Sequence, residues 1–222
     1  RVRYDGGHKL DHFLANEVAV HLDFFPICPE FESGLPVPRD RMHLVGNPVR
    51  PQLTVTGSRT NLTGIINQYC HQKIKELPLE NLAGFIFKSK SPSCGLHQVK
   101  VFNQQGIVSG YGQGLFAAAM LEAFPSLPVE DENRLQNKEI YALFIEKVFA
   151  YKRWQDFLKN RPDIEKLIKL HSDHRLQLLA RSMDNPDKIA QAIASHKNLD
   201  LKWRLEMYLK MFMETLSRPP SP

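Results

Sequence analysis

Apolar positions change their rhythm near residue 135. Before that point they come in short runs broken by proline and glycine, as in brief strands and loops; after it they recur at helical spacing. Val18 to Phe25, Leu53 to Gly57, Phe85 to Phe87 and Gln98 to Phe102 read as strands. Lys9 to Asn16 reads as a short helix, and Leu62, Ile65, Ile66, Tyr69 and Ile74 predict a longer one over Asn61 to Leu77. Another helix is predicted over Leu115 to Phe124. Ser33 to Arg39, with Gly34, Pro36 and Pro38, must be loop, and Pro125 to Leu135 reads as a connection. Alternating strands and helices predict an α/β class, a mostly parallel Rossmann-like sheet domain over residues 1–135. Residues 136–222 contain no glycine. Ile140, Phe144, Ile145, Val148, Phe149 and Tyr151 share one helical face there, and Ile164, Leu167, Ile168 and His171 another. Asp184 to Asp187 reads as a turn and cap before a helix from Lys188, and Leu199 to Leu216 as a last amphipathic helix, so this part predicts a small all-α bundle.

Charge divides at the same place. The chain carries 29 Lys+Arg against 24 Asp+Glu, balanced 13 to 13 up to Asn137 and standing at 16 to 11 from Lys138 onward. Two modules with different jobs are expected. No apolar run approaches the ~18–20 residues that span a bilayer, and no signal-peptide pattern opens the chain, so a soluble, cytoplasmic protein with no membrane partner is expected. Three cysteines, Cys28, Cys70 and Cys94, are too few and odd in number for a disulfide framework. Catalysis or metal binding are the special roles left to them. The chain begins at Arg1 in the middle of a motif, which reads as a fragment.

The chemistry is expected at Lys88-Ser-Lys-Ser-Pro-Ser-Cys-Gly95, directly after the Phe85 strand. Pro92 and Gly95 allow a tight turn that sets Cys94 beside backbone N–H groups, an environment for a thiolate, a metal or an anion, or simply for a half-buried thiol. Cys28 is expected at the end of the Val18 strand, and Cys70, inside a helix, reads as packing. Gly110-Tyr-Gly-Gln-Gly114 precedes a helix like a phosphate loop but lacks Lys-Ser/Thr, so flexibility is the plainer reason for its glycines. His171 and His174 stand at i, i+3, as a metal pair or a hydrogen-bonded pair would. Lys147, Lys152, Arg153 and Arg161 with Tyr151 and Trp154 form a basic, aromatic stretch suited to RNA, or equally a solvated face over a buried ring.

Taken together, Val2-Arg-Tyr-Asp-Gly-Gly-His-Lys9, Cys28-Pro-Glu30, Gly34-Leu-Pro-Val-Pro-Arg39, Val55-Thr-Gly57 and Lys88 to Gly95 resemble the thiouracil desulfidase family, long catalogued as a domain of unknown function. The resemblance covers about residues 1–135. It implies an enzyme holding a four-iron four-sulfur cluster on three cysteines, of which Cys28 and Cys94 match the second and third. The family's first ligand sits in Cys-Leu-Leu-Gly, which would lie upstream of Arg1, so these residues lack one expected ligand through truncation or loss. The implied activity is non-redox hydrolysis of a C–S bond, releasing sulfide from a small thiolated pyrimidine. Glu30 is the candidate proton donor or acceptor, Ser91 and Ser93 orient base or water, and Lys88 and Lys90 offset cluster charge. Phe144 to Trp154 and Leu170-His-Ser-Asp-His-Arg175 resemble a YbgA-type helical domain, itself of unknown function. A reading from a different class is a non-catalytic nucleic-acid or protein binding module that has lost its cluster.

Overall fold

The computed structural model describes residues 4–7, 10–195 and 200–220. The start of the expected helix at Lys9 lies outside them; within them a single π turn covers Leu14–Val18. The elements that follow are α1 (Pro29–Glu32), β1 (Met42–Asn47), β2 (Arg50–Val55), α2 (Thr63–Glu76), β3 (Phe85–Phe87), β4 (Val99–Phe102), β5 (Val108–Gly112), α3 (Leu115–Ala123) and β6 (Val129–Asp131). After a short 3-10 turn at Arg134–Gln136 come α4 (Lys138–Lys159), α5 (Ile164–Leu179), α6 (Asn185–Ser195) and α7 (Leu201–Leu216). The α/β class followed by a helical region is as expected. No helix among the described residues is long and apolar enough to cross a membrane.

The chain divides into two compact units. One comprises Arg1–Leu77, Ile86–Phe124 and Val129–Gln136; the other comprises Pro78–Phe85, Pro125–Pro128 and Asn137–Pro222. In the first, a four-stranded sheet runs in the order β2-β1-β4-β5, and β3 pairs with β6. Within the four-stranded sheet β1 and β4 run parallel, with Leu44 opposite Val101, and β1–β2 and β4–β5 are antiparallel. The mostly parallel sheet is therefore corrected to a mixed one. Pro48 and Val49 alone join β1 to β2, held by the Val49 N–H donating to Asn47 Oδ1 at 2.9 Å, and so short a link can join only antiparallel neighbours. Leu44, Leu53, Ile66, Phe87, Val101, Phe116 and Met120 form the buried interior of this unit.

Two expected elements fail. Val18 to Phe25 is not a strand: residues 22–28 have no regular structure, and Val20, Phe24 and Phe25 are exposed. Val18 is buried at the end of the π turn, and the residues after it leave the interior. Pro125 to Leu135 is more than a connection, since Val129–Asp131 forms β6. Its acidic run is tolerated in a strand because Glu130 accepts from Arg134 Nε at 2.8 Å and Glu132 pairs with Lys88.

In the helical unit, α4 is capped by the Asn137 side chain, which accepts from the Glu139 and Ile140 N–H groups, and α5 by Asp163, which accepts from Lys166 N. Its core gathers Ala150, Trp154, Leu167, Leu178, Ile189, Ile193, Tyr208, Phe212, Met213 and Leu216. Trp154 stacks on Tyr208 inside that core and offers no face to a base, so the expected RNA-contacting stretch is a helix face over a buried ring. His174 is buried too, with Nδ1 at 3.0 Å from the Tyr208 hydroxyl and its ring stacked on Phe212 at 4.4 Å. Burial first, then the Arg153 charge, lower its pKa from 6.5 to about 4. A buried histidine that stays neutral in the fold but charges when unfolded contributes stability that is full above pH 6.5 and lost as pH falls through about 4. The helical unit is thus expected to lose up to about 3 kcal/mol across that window. Urea unfolding followed by helical circular dichroism at about pH 7 and about pH 4 measures it, and His174→Gln should flatten the dependence.

Candidate active site

β3 delivers the chain into the loop that carries Ser91, Ser93 and Cys94. Ser91 organises this loop. Its Oγ accepts from the N–H groups of Ser93 (3.3 Å) and Cys94 (3.2 Å), and its carbonyl accepts from Gly95 N–H at 2.8 Å. The amides expected to be free around Cys94 are therefore spent within the turn. The loop's carbonyls are occupied as well: Pro92 O accepts from Leu115 N (3.4 Å), Ser93 O from Phe116 N (2.8 Å) and Gly95 O from Gly114 N (2.8 Å). Leu115 and Phe116 open α3, so the site loop satisfies donors that a helix start leaves unpaired. The phosphate-loop likeness of Gly110 to Gly114 is thereby excluded. The glycines answer to proximity rather than flexibility, for a Cβ on Gly110 would lie 2.7 Å from Pro48 Cγ and one on Gly114 would lie 2.5 Å from the Ser93 carbonyl carbon.

Cys28 does not follow a strand, as expected, but sits at the start of α1, one residue before Pro29. Two residues on, Glu30 reaches the Cys94 loop: its Oε1 accepts from Ser93 Oγ at 2.6 Å. Its Oε2 accepts from Arg39 Nε at 3.1 Å and from Arg39 Nη2. Arg39 is itself anchored, its N–H donating to the Tyr4 carbonyl at 2.7 Å and its Nη1 to the Pro36 carbonyl at 3.4 Å. Ser93 Oγ lies 3.0 Å from Ser91 Oγ and 3.7 Å from Cys94 Sγ. A line of polar atoms thus runs from Arg39 through Glu30 and the two serines to the Cys94 thiol. Arg39 was visible in the sequence only as part of a motif; nothing there linked it to Glu30.

Burial pushes the Cys94 thiol up to about 12, donation from Ser93 opposes this, and the charges of Glu30, Cys28 and Cys70 add to it. Hydrogen bonds join Glu30, Ser91, Ser93 and Cys94 directly. Cys70 is buried on α2, as a packing residue should be, and burial raises its thiol to about 11. Lys88, expected to offset cluster charge, is instead paired with Glu132, which also accepts from the Ser89 N–H at 2.6 Å and the Ser89 hydroxyl at 3.0 Å. A cavity of about 530 Å³ opens beside Arg39, its walls including Leu35, Pro36, Met42, Val55 and Leu62.

The family model for 2-thiouracil desulfurase matches residues 1–132, spanning every one of these site residues. The chain belongs to the 2-thiouracil desulfurase family. A solved structure described as a four-iron four-sulfur-dependent thiouracil desulfidase, TudS, is 26% identical, with 61% of this chain and 85% of that one covered at a TM-score of 0.44. No curated protein matches. The Cys28 and Cys94 thiols are soft sulfur donors, the ligand type that suits an iron–sulfur centre, while Glu30, Ser91 and Ser93 are hard oxygen groups hydrogen-bonded beside Cys94.

Proposed function

We propose that the Cys28–Cys94 site removes sulfur from a thiolated pyrimidine by hydrolysis, the ring gaining oxygen from water and sulfur departing as hydrogen sulfide without change of oxidation state. Cys28, Cys94 and a third cysteine N-terminal to Arg1 would hold the cluster, which supplies a Lewis-acidic iron with affinity for sulfur. The observation that carries the reading is the place of Ser93 Oγ, 2.6 Å from Glu30 Oε1 and 3.7 Å from Cys94 Sγ. Arg39 occupies Glu30 Oε2, which leaves Oε1 as the oxygen that exchanges protons. Glu30 Oε1 takes the proton given up by water, passed through Ser93 Oγ, and returns it to the departing sulfur. Ser91 keeps the Ser93 hydroxyl aimed along that path. The cavity beside Arg39 is within the size range of small-molecule sites, and its walls set apolar Leu35, Met42, Val55 and Leu62 beside polar Asp40, Ser58 and Thr60, which suits a flat ring bearing polar groups. We read residues 136–222 as a separate helical domain, in keeping with the second compact unit.

The test uses the chain preceded by Cys-Leu-Leu-Gly, reconstituted anaerobically with iron and sulfide and given 2-thiouracil. Uracil and sulfide are expected in equal amounts from a brown protein. Cys94→Ser should be colourless and inactive. Glu30→Gln should keep the visible band while sulfide release falls about a hundredfold, the ordinary effect of losing an acid–base group. Sulfide release by a colourless protein, or undiminished turnover by both variants, would overturn the proposal.

A further inference from the structure

Cys28 stands where the chain has little to hold it. Residues 22–28 carry no regular structure, and α1 is a single turn. A ligand thiol that must meet a partner on another loop needs its main chain fixed. Glu32 supplies this. Its Oε1 accepts from the Cys28 N–H at 2.8 Å, and its own N–H donates to the Cys28 carbonyl at 2.8 Å, so one residue grips both polar groups of the Cys28 backbone. Glu32 Oε2 then accepts from the Tyr69 hydroxyl at 2.9 Å and pairs with Lys73 Nζ at 2.7 Å. Tyr69 and Lys73 stand at i, i+4 on α2, with the ammonium 5.7 Å from the ring centroid. On its other side Tyr69 meets Phe116, ring centroids 6.1 Å apart, and the Phe116 N–H is the group that holds the Ser93 carbonyl. The contacts therefore run from Cys28 through Glu32, Tyr69 and Phe116 to the loop of Cys94.

We propose that Glu32, locked to α2 by Tyr69 and Lys73, is a positioning residue that holds the Cys28 thiol in register with Cys94 for cluster binding. The inference rests on the reading above that these thiols are cluster ligands. Local electrostatics agree with it. Partial burial works against ionisation of Glu32, but the Lys73 ammonium, the Cys28 N–H and the Tyr69 hydroxyl outweigh it and hold the carboxyl below its ordinary range. Burial raises the Tyr69 phenol strongly, and its donation to Glu32 adds to this. Partners of metal ligands commonly change metal affinity ten- to hundredfold when removed.

Two measurements test it on the chain preceded by Cys-Leu-Leu-Gly. In the reconstituted protein, decay of the visible band after addition of a ferrous chelator should be about tenfold faster in Glu32→Ala. Glu32→Gln keeps an acceptor for the Cys28 N–H and should stay close to wild type, with Tyr69→Phe between the two. In the cluster-free protein, iodoacetamide should label Cys28 faster in Glu32→Ala while the labelling rate of Cys94 and the thermal midpoint hold. Equal cluster lifetimes in wild type and Glu32→Ala would overturn the proposal, as would Cys28 and Cys94 labelling that rises together. A wild-type chain that takes up no cluster would sink the functional reading instead, and Cys28 labelling would still decide whether Glu32 fixes that residue.

Discussion

Gly114→Ala is expected to abolish desulfurisation and to destabilise the first unit by about 3 kcal/mol, the upper range for forcing a methyl into packed surroundings. The added Cβ would stand 2.5 Å from the Ser93 carbonyl carbon, 2.6 Å from its oxygen and 2.7 Å from the Cys94 nitrogen, all main-chain atoms that no rotamer change can move aside. Gly114 has an ordinary φ of −64°, so the cost is contact and not conformation. Relief requires the Ser93–Cys94 turn to shift, and a displacement of about 1 Å in a reacting group is enough for a hundredfold loss of rate. Gly64→Ala is the control. It lies on α2 with nothing within 4 Å of its would-be Cβ, and alanine there should stabilise by roughly 1 kcal/mol. Thermal melts and 2-thiouracil turnover of the two variants make the comparison. A Gly114→Ala protein that melts and turns over like the parent would mean that the loop does not set the thiol's position.

Arg39→Ala should cost about 3 kcal/mol, because breaking a buried ion pair leaves the remaining charge without its partner. The two side chains are only 6% and 14% exposed. Glu30 would keep Ser93 but lose both donors to Oε2, freeing the carboxylate to rotate away from the proposed proton path. Turnover is therefore expected to fall with stability. The double variant Arg39→Met, Glu30→Gln removes both charges and should recover most of the stability while remaining inactive, since neutral replacement of a buried pair is often tolerated. Urea midpoints for the single and double variants give the coupling. Equal midpoints for Arg39→Ala and the parent would assign the pair no structural weight.

The sequence carried those parts of the fold that depend on near neighbours. α2, α3 and the four later helices follow from their own apolar spacing, and β3 and β4 from short runs of Phe and Val bounded by turn residues. The parts it concealed depend on distant ones. Phe24 and Phe25 have the composition of a strand but no edge to pair with, while Glu130, Asp131 and Glu132 have the composition of a loop and are admitted to the interior by Arg134, Lys88 and main-chain donors. At the site, resemblance picked out Cys28, Glu30, Ser91, Ser93 and Cys94, and hydrogen bonds join the last four of these. What joins them was not legible, because the Arg39 grip on Glu30 and the Glu32 grip on Tyr69 are contacts across 9 and 37 residues of chain.

The bonding between the Cys94 loop and α3 limits how such a site can diversify. The loop provides the acceptors for the first amides of a helix that carries Phe116, Ala117 and Met120 into the interior. Inserting or deleting a residue between Pro92 and Gly95 would strand those amides and unseat that helix, so the loop's length is tied to the hydrophobic core. Under the proposed function, a change in which ring or ring substituent is accepted has to be made on surfaces without that obligation. The cavity walls around Leu35, Met42 and Val55 are such a surface: they line space rather than hold a helix start, and their side chains can vary in size while the Cys94 loop keeps its bonds to α3.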